Sequence, residues 1–253
     1  MLSVLSYDLV AYRRTWRGSA LSSFVLPVLF MVGMGVSVGH YVNQAGSLGP
    51  VRYLDYVLPG MIASTAMQVA FGESSWPIMG RFVWMRTYHG MVAAPLRIAD
   101  IVGGDLAFVV LRVVSTTTVF VAVATAFHAV HSWWALVVPV VCGLVGLSFA
   151  APLFAFAGRV ETDSYFPLMF RFVMIPMSLF AGVFFPVENL ALGLRILAYA
   201  SPLWHAVVLC RAATLPGFAI SGWAIAGHLA YLALWAVVGC WLAWLSFRAR
   251  LAV

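Results

Sequence analysis

Residues 135–157 read A-L-V-V-P-V-V-C-G-L-V-G-L-S-F-A-A-P-L-F-A-F-A, a run without one charged side chain. A helix needs about 20 apolar residues to cross a hydrocarbon core of roughly 30 Å, and this run supplies them. The rest of the chain has the same character. Of its 253 residues 64% are hydrophobic and 9% charged, and the mean hydropathy is +1.00. A soluble domain carries about 45–50% apolar and about 25% charged residues. A water-soluble enzyme, a disordered chain and a disulfide-stapled secreted domain are thereby excluded. The composition describes an all-α polytopic membrane protein with one transmembrane domain over 1–253.

Working outward from that run, further apolar stretches predict spans near 19–41, 56–78, 101–127, 166–185 and 221–246, six in all. The second is the least clean, because Gln68, Glu73 and Ser74 interrupt it. Ahead of the first, Leu2, Leu5, Leu9, Tyr12 and Trp16 recur every three or four residues. Ser3, Ser6, Asp8, Arg13, Arg14 and Arg17 fill the other face. This spacing predicts an amphipathic helix over 2–17 lying in the membrane interface. A signal peptide fits less well, since the following apolar run is too long and no small-residue cleavage site ends it. Residues 79–100 form a loop with a short amphipathic helix of its own, ended by Pro95. Residues 186–217 are apolar but broken by Pro186, Pro202 and Pro216, and two re-entrant half-helices suit them better than one span.

All fourteen basic residues are arginine. Without lysine the chain can form neither a phosphate-binding loop with its Lys on the phosphates nor a Lys Schiff base. With the N-terminus inside, Arg13, Arg14, Arg17, Arg81, Arg86, Arg97, Arg159, Arg248 and Arg250 fall on the cytoplasmic side, against Arg52, Arg195 and Arg211 opposite. Both termini are therefore expected in the cytoplasm. The missing lysines and the Ala/Val/Arg bias point to a GC-rich bacterial genome, and the expected location is the bacterial inner membrane. The net charge of +6 marks these loops rather than a face for nucleic acid. No internal repeat of the kind used by inverted-repeat transporters is evident.

Glu73, an acid inside the second span, is a functional candidate, with Arg112 and Arg171 as partners that would neutralise it. Asp105 is expected nearer the surface, snorkelling or capping a helix. Glu188 or Asn189 could satisfy the free amides of a half-helix, while Glu188, Trp204, His205 and Arg211 could shape an exit. Gly35 and Gly39 form a G-x-x-x-G, read as close packing. His128 and His131 lack a third ligand, and Cys142, Cys210 and Cys240 show no metal or disulfide spacing, so no metal site is expected. The run Ala219-Ile220-Ser221-Gly222 lacks the first Gly of an intramembrane protease turn.

Two segments carry a resemblance. The first is R-F-V-W-M-R-T-Y-H-G-M-V-A-A-P-L-R-I-A-D-I-V-G-G-D-L, Arg81 to Leu106. From Met85 onward it resembles the stretch joining spans two and three of ABC-2 type exporter permeases, closest to the nodulation-factor and daunorubicin-resistance branch. The second is F-F-P-V-E-N-L-A-L-G-L-R-I-L-A-Y-A-S-P-L-W-H-A-V-V-L-C-R, Phe184 to Arg211, similar to that family's stretch after span five. The resemblance implies a dimeric pore, most simply a homodimer, driven by a separate ABC ATPase that holds the ATP and magnesium, so this chain binds no cofactor itself. It implies a coupling segment of Arg81, Met85, Arg86, Thr87, Tyr88, His89 and Gly90, with Arg13, Arg14 and Arg17 on the same docking surface. It places an outer gate at Phe184, Phe185, Pro186, Glu188, Trp204 and His205. The cargo it implies is amphipathic or lipid-linked: lipo-oligosaccharide, lipid or drug. The family's loop is often more strongly charged where this chain has Phe82, Val83 and Trp84. A proton-coupled transporter using Glu73 is the alternative, and an intramembrane enzyme or sensor subunit a third.

Overall fold

The computed structural model describes residues 1–33, 38–44, 51–94, 96–215 and 217–251. Gly35 of the G-x-x-x-G, the loop over 45–50, Pro95 and Pro216 lie outside them. Every regular element among the described residues is helical: α1 (Leu2–Val32), α2 (Gly39–Gln44), α3 (Tyr53–Ser74), α4 (Trp76–Val83), α5 (Thr87–Ala93), α6 (Ile98–Ala126), α7 (Val138–Ala157), α8 (Tyr165–Met169), α9 (Ile175–Phe180), α10 (Leu192–Ala200), α11 (Pro202–Thr214) and α12 (Gly222–Leu251).

Among the described residues three helical stretches are long and apolar enough to cross a membrane: Ile98–Ala126, Trp133–Ala157 and Gly222–Leu251. The bent pair α10–α11 makes a fourth if counted as one span. The six expected spans are therefore not all of one kind. The expected fifth, 166–185, is instead a helix over Tyr165–Phe180, with a π-turn at Phe170–Met174 joining α8 to α9. It is about 24 Å long at 1.5 Å per residue, short of the hydrocarbon core. It stops where Gly182 takes φ +80°, which a side chain would resist. Where the second span is expected, α3 starts at Tyr53 and the backbone breaks at Ser75 before α4.

No break separates residues 2–17 from the first span, because α1 is one helix of 31 residues. Nor is the apolar stripe the face that meets the protein. Leu2, Leu9 and Trp16 are exposed, whereas Val4 and Asp8 are buried and Tyr12 is half-buried. The reason lies in α6. Gly104 leaves a gap that Val4 fills, and a Cβ at residue 104 would come within 2.6 Å of the Val4 Cβ.

Between Pro186 and Thr214 the chain does break in two. α10 and α11 meet at 77° around Ser201 and Pro202. Ser201 caps α11 by accepting from the Leu203 amide at 3.1 Å. Glu188 and Asn189 do not cap the half-helix: they sit exposed in a short 3-10 turn, and Ala191 precedes α10 without a side-chain bond.

α7 is the axis of the bundle, packed on α12, α6, α3 and α11. Its tightest neighbour is α12, where a Cβ on Gly239 would lie 2.5 Å from Pro152 Cδ. The two backbones touch there. Gly239→Leu should therefore lower stability by about 1–3 kcal/mol through overpacking, read as a lower unfolding temperature of the purified protein. Gly227→Leu, on the same helix with open space around it, should leave that temperature nearly unchanged.

Candidate functional site

α4 and α5 form a shoulder at one end of the long helices. Pro77 sits in the first turn of α4, where a missing amide costs nothing. Gly80 O closes the helix by accepting from the Trp84 and Met85 amides at 3.0 and 2.8 Å. Arg86, at φ 51°, turns the chain into α5. The left-handed region is costly for a side chain, by about 1–3 kcal/mol, and marks a position held by its surroundings.

What holds the shoulder is Arg81. One guanidinium nitrogen donates to Asp105 Oδ1 of α6 at 2.8 Å, and another pairs with Asp8 Oδ1 of α1. The Tyr88 hydroxyl of α5 donates to Asp105 Oδ2. Asp8 is 2% exposed and Asp105 2%, so neither charge is hydrated as on a surface. Burial alone would weaken the Arg81 charge, but Asp105, Tyr88 and Asp8 hold it above its ordinary value. Burial pushes the Tyr88 phenol well above its usual range and the Asp105 carboxylate pushes it further, so the hydroxyl stays protonated and donates. One cation thereby ties α4 to α1 and α6, and a phenol ties α5 to α6.

Aromatic packing extends the contact to the two remaining long helices. The Phe82 ring lies 4.6 Å from Tyr88 and 4.8 Å from Phe247 of α12, and Phe247 stacks on Phe154 of α7 at 6.2 Å. Arg250 donates to the carbonyls of Gly158 and Val160 at 2.9 and 3.1 Å, with its guanidinium 4.7 Å from the Phe82 ring. Of the predicted coupling residues, Arg81 and Tyr88 thus face inward. Thr87 is half-buried, and Met85, Arg86, His89 and Gly90 form the outer face. Arg13, Arg14 and Arg17 are exposed on α1 and make no hydrogen bond or ion pair among the described residues.

Glu73 meets one of its two expected partners. Arg112 Nε donates to Glu73 Oε1 at 2.9 Å, and Arg112 also donates to the Tyr12 hydroxyl at 2.7 Å while lying 4.5 Å from that ring. Arg171 is exposed on the π-turn and is not part of this network. Asp105 neither snorkels nor caps; it is the buried partner of Arg81.

At the other end, Arg211 is buried and donates to Gly182 O at 2.5 Å and to Tyr56 O at 3.4 Å, its guanidinium 3.9 Å from the Tyr56 ring. It pins α11 to α3 and to the turn after α9. Phe184, Phe185 and Pro186 follow that turn half-buried, Trp204 and His205 are half-buried on α11, and Glu188 is exposed. His205 meets His228 of α12.

Sequence reading names Asp8 and Tyr12 only as members of a polar and an apolar face, and gives no role to Phe247 and His228. A signal for two of them was present, since Val4, Asp8 and Tyr12 repeat every four residues on one helix face.

The architecture agrees with comparisons to known proteins. The model of the ABC-2 type transporter family matches residues 2–215. The chain belongs to the ABC-2 type transporter family. It is 27% identical over 252 residues to nodulation protein J of Rhizobium leguminosarum bv. trifolii, covering 99% of this chain and 93% of that protein. The protein of the same name from R. leguminosarum bv. viciae is 29% identical over 239 residues, covering 94% and 89%. That of Neorhizobium galegae is 28% identical over 252 residues, covering 99% and 93%. As an ABC-2 subunit the chain is a multi-pass membrane protein that serves transport rather than catalysis, and the family implies an ABC ATPase partner.

The Arg81 cluster can be tested on this ABC-2 subunit alone. Arg81→Ala strands two buried carboxylates and should cost about 3–5 kcal/mol. Arg81→Met combined with Asp8→Leu and Asp105→Leu removes all three charges together and should recover most of that loss. Thermal unfolding of the purified variants measures both.

Proposed function

We propose that this ABC-2 chain is the membrane-spanning half of an ATP-driven exporter in a bacterial inner membrane, with both termini cytoplasmic. Two copies form the pore, most simply as a homodimer. ATP and magnesium belong to a separate ABC ATPase, which docks on the outer face of the shoulder through Met85, Arg86, His89 and Gly90. The arginines of α1 extend the same cytoplasmic surface. The observation that carries this reading is the division of the shoulder into two faces. Its outer face offers cations and an apolar thioether to a partner, while its inner face is bonded to α1 and α6 and packed on α7 and α12. A load applied to α4–α5 therefore reaches the long helices through three bonds and the ring contacts with Phe247 rather than being lost in a loop.

The arrangement at Glu73 favours this reading over proton coupling. A carboxylate that picks up and releases protons during transport needs both states to be comparably accessible. Glu73 is instead held in a fixed ion pair by Arg112 Nε at 2.9 Å, and Arg112 is in turn bonded to the Tyr12 hydroxyl. The cargo class rests on the family resemblance and on the apolar interior: an amphipathic or lipid-linked molecule, such as a lipo-oligosaccharide, a lipid or a drug, carried from the inner leaflet outward.

Charge reversal separates docking from folding. Arg86→Glu with His89→Glu alters only exposed side chains, so the chain should insert and unfold at its normal temperature. Recovery of an ABC ATPase with the affinity-tagged chain from native membranes in mild detergent should fall at least about tenfold, equivalent to about 1.4 kcal/mol. Undiminished recovery would remove this face from the docking surface, and absence of any ABC ATPase with the wild-type chain would overturn the reading.

A further inference from the structure

The kink between α10 and α11 is fastened to α12 by two histidines. His205 Nδ1 lies 2.7 Å from His228 Nδ1, and His205 Nε2 lies 3.2 Å from the Tyr199 carbonyl oxygen. A carbonyl only accepts, so His205 Nε2 carries a proton. Neutral imidazole then has a bare Nδ1, which accepts, and His228 must donate from its own Nδ1. The carbonyl thus fixes both tautomers. The His205 ring also stacks on Tyr231 of α12, with centroids 4.0 Å apart, and the Tyr231 hydroxyl donates to Ala200 O in the kink.

The charged and titratable groups around the pair are few. α10 contributes Tyr199 and, bonded to its hydroxyl at 3.2 Å, Arg195; α12 contributes Tyr231. α3 and α7, which pack on the rest of α11, bring Tyr56 to Arg211 and Cys142 to Cys210, away from the pair. Among the described residues no carboxylate is bonded to either imidazole to stabilise a second positive charge.

We propose that the His205–His228 hydrogen bond is a proton-opened latch that holds the α10–α11 kink against α12. One proton on the pair leaves the bond in place, because neutral His228 then presents a bare Nδ1 to protonated His205. A second proton puts an N–H on both Nδ1 atoms, so two donors face each other at 2.7 Å and the bond is lost. The open form binds one proton more than the singly protonated closed form, so the closed latch is favoured as pH rises and lost as it falls. The open-to-closed ratio changes about tenfold per pH unit in the range where the pair titrates. This goes beyond the export reading and does not depend on it, since the latch is a property of the chain without an ATPase.

Electron–electron resonance distances on the full chain in lipid nanodiscs test it. Spin labels go on Leu197→Cys of α10 and Trp223→Cys of α12, both exposed positions, with Cys240→Ser in the background. At mildly alkaline pH one short distance is expected, and a longer one should grow in as the pH is lowered. His228→Gln should keep the short distance throughout, because its amide offers N–H to neutral His205 and, after flipping, C=O to the protonated ring. His228→Ala should show the longer distance at every pH. A wild-type distribution that ignores pH, or a His228→Gln protein that shifts as the wild type does, would overturn the latch.

Discussion

Everything at the shoulder end depends on one guanidinium. Among the described residues Arg81 is the only cation bonded to Asp8 and Asp105, two carboxylates that are each almost wholly removed from water. Burying such groups without a counter-charge is costly enough that α1, α4 and α6 must stay together wherever Arg81 goes. Tyr88 completes the arrangement by donating to the oxygen of Asp105 that Arg81 leaves free. An apolar contact of the same size would tolerate sliding. Directed bonds from the shoulder to α1 and α6 do not, and that is the property a mechanical linkage requires.

The charge network also shows how a chain so poor in polar residues joins its helices at defined points. Most of the bundle is held by close packing, as at Gly239 against Pro152 and Gly104 against Val4. Three arginines join separate elements: Arg81 at the shoulder, Arg112 between Glu73 and Tyr12, and Arg211 between α11 and the turn at Gly182. Each arginine joins elements distant in sequence, and each lies within 6 Å of an aromatic ring, where the cation–π attraction adds to its bonds.

Much of this was legible in the sequence, and the parts that were not share a cause. The charge-free run at 135–157 and the proline-broken segment after Pro186 declare a membrane bundle with a broken element, and α10 and α11 meet at 77° as that pattern implies. The coupling segment was placed by resemblance, but its two faces were not, since Tyr88 and His89 look alike until α5 is folded against Phe247. Asp8 was read as part of a polar face and Asp105 as a surface acid. Hydropathy scores a carboxylate as exposed, whereas these two are buried because a cation from a third helix reaches both. The stripe of Leu2, Leu9 and Trp16 marks only the side that faces away from the bundle, and the protein contact on Val4, Asp8 and Tyr12 could not be read from it. The His205–His228 bond joins residues 23 apart on helices separated by a loop, and no periodicity announces it.

The central claim is that the exposed side of α5 is where the ATPase meets the membrane subunit. The most direct measurement places a photo-crosslinking amino acid at position 89 and irradiates intact cells. The account predicts a covalent adduct with an ABC ATPase from residue 89 and none from residue 133 on the opposite side of the bundle. An ATPase adduct at 133, or none at 89 in cells where the transporter is active, would contradict it.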